Sequence, residues 1–226
     1  MISSKQIMGV DSTHICAVND THFLLPRVRD AFLNMQQAAQ DLDLDLQICS
    51  SFRGFDKQLS IWNRKWMGTL PLYTLNGEAL DANTLSDEEK IHAIMLWSAL
   101  PGASRHHWGT DFDFFDQANV IKQGHTFELV TQEYENNGPC AKLTQWVHKY
   151  AEHFGFYLPY AQYKGGVARE PWHLSHQETA ENIQAHFDIA ALHEQLTQSG
   201  ILGKQAVLAA LPELVTRYTY NKGIQK

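Results

Sequence analysis

Apolar residues recur every three or four positions from Val28 to Leu42. Val28, Ala31, Phe32, Met35, Ala38, Ala39 and Leu42 form one stripe with arginines and glutamines outside it, which predicts a helix opened by Leu25-Pro26. The period then drops to two. Leu42, Leu44, Leu46 and Ile48 alternate with Asp41, Asp43, Asp45 and Gln47, so a half-buried strand takes over between Asp41 and Leu46 and ends near Ser51. After the turn at Arg53-Gly54, Asp56 to Met67 reads as a second helix with Leu59, Trp62, Asn63 and Trp66 in line. Residues 68–85 hold Gly68, Pro71, Asn76 and Gly77 and read as a loop or small hairpin. Ser86-Asp87-Glu88-Glu89 is a capping box. Ile91, Ile94, Met95 and Trp97 stripe the helix behind it, which stops at Pro101-Gly102.

Thr110 to Phe115 sets Asp111 and Asp113 against Phe112 and Phe114, a short strand with one acidic and one aromatic face. Leu143, Trp146, Val147, Tyr150, Ala151 and Phe154 mark an amphipathic helix closed by Gly155. Phe156 to Tyr160 reads as a strand, Gly165-Gly166 as a turn, and Val167 to Leu174 as a strand or extended segment. Ser175 with Glu178 is expected to cap a helix carrying Ala180, Ile183, Phe187, Ala190 and Ala191. Lys204 to Tyr218 is expected to form one or two short helices broken at Pro212. Helix and strand mix without regular βαβ alternation, and no repeat or linker divides the chain. The expectation is an α+β fold in a single domain spanning 1–226, its motif-bearing part at about 25–200.

Composition narrows the function. With 44% hydrophobic and 19% charged residues, the 226-residue chain can bury a core. A net charge of 18 − 25 = −7 argues against nucleic acid or an anionic membrane surface as partner. Cys16, Cys49 and Cys140 form no CxxC pair, so a disulfide scaffold is not expected. No apolar run approaches the roughly 18 residues of a membrane span. The first residues contain no apolar signal-peptide core, which gives a cytoplasmic location by default; a removed leader would place the chain in the periplasm or cell wall. Nothing calls for an obligate protein partner.

Two segments carry candidate chemistry: Ser104-Arg105-His106-His107-Trp108-Gly109-Thr110-Asp111-Phe112-Asp113, and Glu170-Pro171-Trp172-His173. Together they offer imidazoles and a carboxylate as metal ligands, plus a second carboxylate to act on bound water. A zinc site in a hydrolase takes three protein ligands and leaves a position for water, whose pKa falls from about 15.7 toward about 7. His107 rivals His106, and Asp111 shares a strand face with Asp113, so these residues alone leave both choices open. Glu170 and His173 would face opposite ways on a regular strand, so both serve one site only if the chain bends, as Pro171 favours.

The spacing Ser-x-His-x-x-Gly-x-x-x-Asp, followed by Glu-x-Trp-His, resembles the zinc D-Ala-D-Ala peptidases of the VanX/VanY type. Ser51-Phe52-Arg53-Gly54 with Gln58 is similar to that family's Ser-Gly-Tyr-Arg-Ser element, and the three elements keep the family's order across roughly residues 45–175. The resemblance implies one zinc per chain on His106, Asp113 and His173, with Glu170 as general base. It implies Arg53 at the scissile carbonyl or its oxyanion, Ser104 at the substrate's terminal carboxylate, and Gln58 and Trp172 about the substrate. It further implies a small α+β fold around a central antiparallel sheet flanked by helices, shared with hedgehog-type domains. The expected activity is D,D-carboxypeptidase action on cell-wall peptides. A stem-peptide endopeptidase and a non-catalytic zinc- or peptidoglycan-binding module are the alternatives. Asp111 departs from the family, which often has alanine there; this extra carboxylate could tune the metal or receive a substrate amine. The stretch from Asn63 to Ala103 is long and could form a lid or selective wall.

Overall fold

A computed structural model describes residues 2–223; Met1 and residues 224–226, the ends of the expected 1–226 domain, lie outside the described residues. After the short helix α1 (Ser4–Ile7), strands β1 (Cys16–Ala17) and β2 (Phe23–Leu24) pair and lead into α2 (Pro26–Gln40). Pro26 stands at the first helical position, where its fixed φ and missing N–H cost nothing. Val28, Phe32, Met35 and Ala39 form its buried face. The handover expected between Asp41 and Leu46 falls at the far end of that range: Asp43 adopts φ 57° in an intervening turn, Leu42 is left exposed, and the strand starts at Leu46.

Strand β3 (Leu46–Ser50) is followed by α3 (Phe55–Trp66). Residues 68–85 contain the hairpin β4 (Leu72–Tyr73) and β5 (Ala79–Leu80), then α4 (Asp87–Trp97) opens on the expected capping box of Ser86 and Glu89. A 3₁₀ turn, Arg105–Trp108, precedes β6 (Asp111–Asp116), α5 (Gln117–Lys122), α6 (Ala141–Tyr150) and β7 (Phe156–Tyr157). Strand β8 (His173–His176), α7 (Gln177–Ala185), α8 (Ile189–Gln198) and α9 (Lys204–Leu214) complete the chain, α9 passing into a π-helical turn, Val215–Thr219.

Three expectations need correction. Ser175 caps no helix; it lies in β8, where its side chain is consumed by Asp111. The helix behind it is two helices, because Asp188 accepts from the N–H groups of Ala190 and Ala191 and starts α8 afresh. Pro212 does not break α9; it lies inside that helix, and the irregularity follows three residues later as the wide turn.

The main sheet is antiparallel in the order β3-β6-β8-β7, which confirms the α+β single domain with helices around a central antiparallel sheet. Phe112 and Phe114 of β6 point into a core built with α2 and α6, where Phe112 meets Phe32 edge-on at 5.1 Å. A second apolar cluster joins α3, α4, α8 and α9 around Trp62, Ile94, Leu192 and Leu211. Asp111 and Asp113 lie on the other face of β6, and Asp113 is set among residues drawn from both clusters, Trp172 from the first and Met95, Leu100 and Tyr160 from the second.

Candidate metal centre and active site

The register of the sheet assembles the site. Asp113 sits directly opposite His173, and Asp111 opposite Ser175, so cross-strand neighbours on one face carry the chemistry. A bulge in β3 between Ile48 and Ser50 offsets its pairing with β6 and sets Ser50 against Asp113. Beside it, the 3₁₀ turn delivers His106, closed by Gly109 at φ 72°. A Cβ at Gly109 would lie 2.8 Å from Ile15 Cγ2 and 3.1 Å from the Leu25 amide nitrogen, so only glycine fits.

His106 Nε2 lies 3.4 Å from Asp113 Oδ2, and His173 Nδ1 lies 3.2 Å from Asp113 Oδ1. One donor atom from each of His106, Asp113 and His173 falls within 4.8 Å of the others, all three residues buried. The second nitrogen of each imidazole is engaged. His106 Nδ1 meets the Ser51 carbonyl at 2.9 Å, and His173 Nε2 meets Asp111 Oδ1 at 2.9 Å. These acceptors fix the tautomers that leave His106 Nε2 and His173 Nδ1 facing Asp113.

The set fits a divalent cation such as zinc on two grounds. Asp113 Oδ1 is buried with no hydrogen bond, an atom a metal would satisfy. Burial opposes charge on His173, yet Asp111, Asp113 and Glu170 around it raise its pKa well above the ordinary histidine range. Carboxylates that draw a proton onto a buried imidazole would be answered by a cation instead.

Glu170 Oε2 stands 3.3 Å from His173 Nδ1, brought round by the turn at Pro171-Trp172. Its backbone N–H donates to the Tyr160 carbonyl, and burial pushes its carboxyl up from the ordinary value. Arg53 donates to Gln58 Oε1 at 2.7 Å and to Ser50 Oγ at 3.0 Å. Burial lowers its pKa, with Asp113 and Glu170 opposing. Arg53, His106, Asp113, Glu170, Trp172 and His173 all line one cleft of about 810 Å³. Ser104 lines it too, with its Oγ buried and unpartnered, a hydroxyl free for a ligand. Lys65 and the β4–β5 hairpin form the far rim, so part of the long 63–103 stretch does wall the cleft.

Two residues assigned to substrate do not line this cleft. Gln58 is wholly buried; its amide donates to Ser98 Oγ and the Ala99 carbonyl while its oxygen holds Arg53, so it positions the guanidinium. Asp111 is wholly buried and bound by Arg105, Thr110, Ser175 and His173, leaving it nothing for a substrate amine. Burial alone would raise its carboxyl, but Arg105 and His173 hold it well below the usual range. His107 points away from the cleft. It accepts from the Gly102 N–H at 3.0 Å and meets the Arg53 carbonyl at 2.5 Å, and burial lowers its pKa to about 3.

The sequence reading missed Arg105, which anchors Asp111 while its other nitrogen reaches Ser175 and Tyr157. Its place immediately before His106 was visible, but its contacts span up to 70 residues and leave no local trace. Tyr160, whose ring meets His173 edge-on at 4.8 Å, was missed for the same reason.

The family model for VanY, D-alanyl-D-alanine carboxypeptidase, matches residues 21–179. An uncharacterized protein of Haemophilus influenzae is 32% identical over 121 residues, covering 53% of this chain and 92% of the relative. A mutant of the vancomycin-resistance D,D-pentapeptidase VanY from the VanB-type resistance cassette, solved in complex with Zn(II), aligns with TM-score 0.52 and 20% identity over 76% of this chain and 84% of that one. The LdcB LD-carboxypeptidase aligns with TM-score 0.53 and 20% identity over 78% of this chain and 75% of that one. At these identities the likeness to the solved structures is one of fold.

Proposed function

The chain belongs to the VanY D-alanyl-D-alanine carboxypeptidase family, and we propose that it is a zinc-dependent D,D-carboxypeptidase removing the last residue of cell-wall peptides that end in D-Ala-D-Ala. The observation that carries the reading is the convergence of His106, Asp113, His173 and Glu170 on one cleft that Arg53 also lines.

Zinc held by His106, Asp113 and His173 would supply a Lewis acid that acidifies water and polarises the scissile carbonyl. Glu170 takes the proton of the attacking water on its carboxylate and returns it to the nitrogen of the departing D-alanine. Its raised pKa suits the first of these steps, since a more basic carboxylate is the better acceptor of the water's proton. Arg53, held by Gln58 and Ser50, presents a fixed positive charge to the oxygen on which negative charge develops. Ser104 offers its free hydroxyl to the substrate's terminal carboxylate. Asp111 and Arg105 hold His173 in one tautomer and do not act on substrate.

An endopeptidase would use the same groups but would not require a free terminal carboxylate, and the unpartnered Ser104 hydroxyl favours the carboxypeptidase. A binding module would have no use for Glu170 beside the ligands. Mass-detected assay of the purified protein against a pentapeptide precursor, its C-terminally amidated form and cross-linked peptidoglycan tests the reading. The free-acid precursor should lose one D-alanine and the amide should not. Equal cleavage of acid and amide, or release of fragments from cross-linked material alone, would replace it with the endopeptidase.

A further inference from the structure

The family match ends at residue 179, yet the cleft is walled in part by residues far beyond it. Tyr218 and Thr219 belong to the π-helical turn Val215–Thr219, and both line the cleft. Such wide turns recur at functional sites. Thr219 Oγ1 donates to the Ala103 carbonyl at 3.1 Å, which pins the turn to the residue immediately before Ser104. Tyr218 is held from another side: its hydroxyl meets His92 Nδ1 of α4 at 2.8 Å, and the two rings stack at 5.9 Å. Met95, Leu100, Ala103 and Val167 line the same wall and share a buried apolar cluster with Tyr218. Beside them the Ser104 hydroxyl is buried with no partner.

We propose that Tyr218 and Thr219 form the end wall of the subsite for the substrate's terminal residue, restricting that subsite to one small residue whose free carboxylate meets Ser104. This rests on the peptidase reading of the cleft. The wall is apolar and braced at two points, so a chain continuing past the terminal residue would have to displace the Tyr218 ring or break the Thr219–Ala103 contact. Displacing close-packed atoms is costly, because interiors of this density do not yield gradually. Tyr218 and Thr219 lie beyond residue 179, so the closing part of the wall comes from a stretch of chain separate from the metal-ligand motifs.

The test compares a peptide ending in D-Ala-D-Ala with the same peptide extended by one D-phenylalanine, whose bulk fits the proposed subsite in neither register. Two readouts are used: hydrolysis by zinc-loaded protein, and calorimetric binding to zinc-loaded Glu170→Gln protein. Tyr218→Ala and Thr219→Ala are introduced into both backgrounds. The parent should favour the shorter peptide by about 100-fold, and each substitution should cut that preference by about tenfold, the scale on which pocket size discriminates substrates. Thr219→Ala removes one hydrogen bond and no ring, so it carries the test if Tyr218→Ala lowers the melting temperature severely. Active, folded variants whose preference stays within about twofold of the parent's would overturn the wall and leave the peptidase reading intact. Selective binding that the substitutions relax, with no hydrolysis by the parent, would overturn the peptidase reading and support the wall. A protein that neither binds nor cleaves either peptide would overturn both.

Discussion

His173 Nε2 meets Asp111 Oδ1 at 2.9 Å, so the face of β6 that sets Asp113 against Nδ1 of this histidine also supplies the carboxylate behind it. Asp111 in turn is fixed by Arg105, whose Nε lies 2.8 Å away with both groups buried. The imidazole is therefore oriented by an ion pair and not by an isolated acceptor.

Asp111→Asn should weaken zinc affinity by about 10–100-fold, the usual cost of losing a ligand's supporting acceptor. It also leaves Arg105 buried without its counter-charge, which costs about 3–5 kcal/mol. The loss should depend on pH. Asp111 is held below the ordinary carboxylate range, so its contribution is complete above the unfolded value of about 4 and disappears as pH falls toward its depressed native value. Urea titrations of the metal-free proteins at neutral pH and near pH 3 should show the gap between parent and variant narrowing in acid. A gap that widened would contradict the sign.

Elemental analysis of purified protein should find one zinc per chain, with most of it lost in His106→Ala and His173→Ala. His107→Ala should keep its zinc and lose stability instead, by about 1–3 kcal/mol for the partners left unsatisfied. Zinc loss in His107→Ala with retention in His106→Ala would reverse the assignment.

Glu170→Gln keeps the shape of the side chain and removes its ability to accept a proton. Hydrolysis should fall by about 10²–10⁴-fold while zinc content and melting temperature stay near the parent's. Loss of zinc would make Glu170 a ligand.

Arg53→Ala should lower kcat by about 10²–10³-fold, as removal of one oxyanion donor does. Gln58→Leu should lower kcat less, since Ser50 still holds the guanidinium, and should leave zinc unchanged. An effect of Arg53→Ala confined to KM would mean that it binds ground state and transition state alike.

Much of this site could be read from local pattern. The alternation of Asp111 and Asp113 with Phe112 and Phe114 marks a strand with a polar face, and the structure has that strand. The choice between His106 and His107 could not be read from the residues alone, because it depends on the 3₁₀ turn that aims one imidazole at Asp113 and the other at Gly102. Ser175 had the pattern of a helix cap because its spacing to Glu178 imitates one; cross-strand pairing with Asp111 overrides that local preference. The role of Gln58 was equally hidden, for nothing near it in sequence tells that Ser98 and Ala99, some 40 residues on, occupy its amide. Phe187 and Asp188 split what periodicity joined, since an apolar stripe continues across a break that only the cap at Asp188 reveals.

The position of the cleft between two apolar clusters bears on how such a molecule can be retargeted. His106, Asp113, His173 and Glu170 hang from the sheet side and the turn beside it, while the β4–β5 hairpin, α4 and the turn after α9 approach from the other cluster. Substitutions on that second side alter the outline a peptide must match without shifting the register of β6 and β8. A library confined to Tyr73, Leu75, Met95, Tyr218 and Thr219 would therefore sample new peptide preferences on constant reaction machinery, and each member could be screened first for retained zinc and only then for what it cuts.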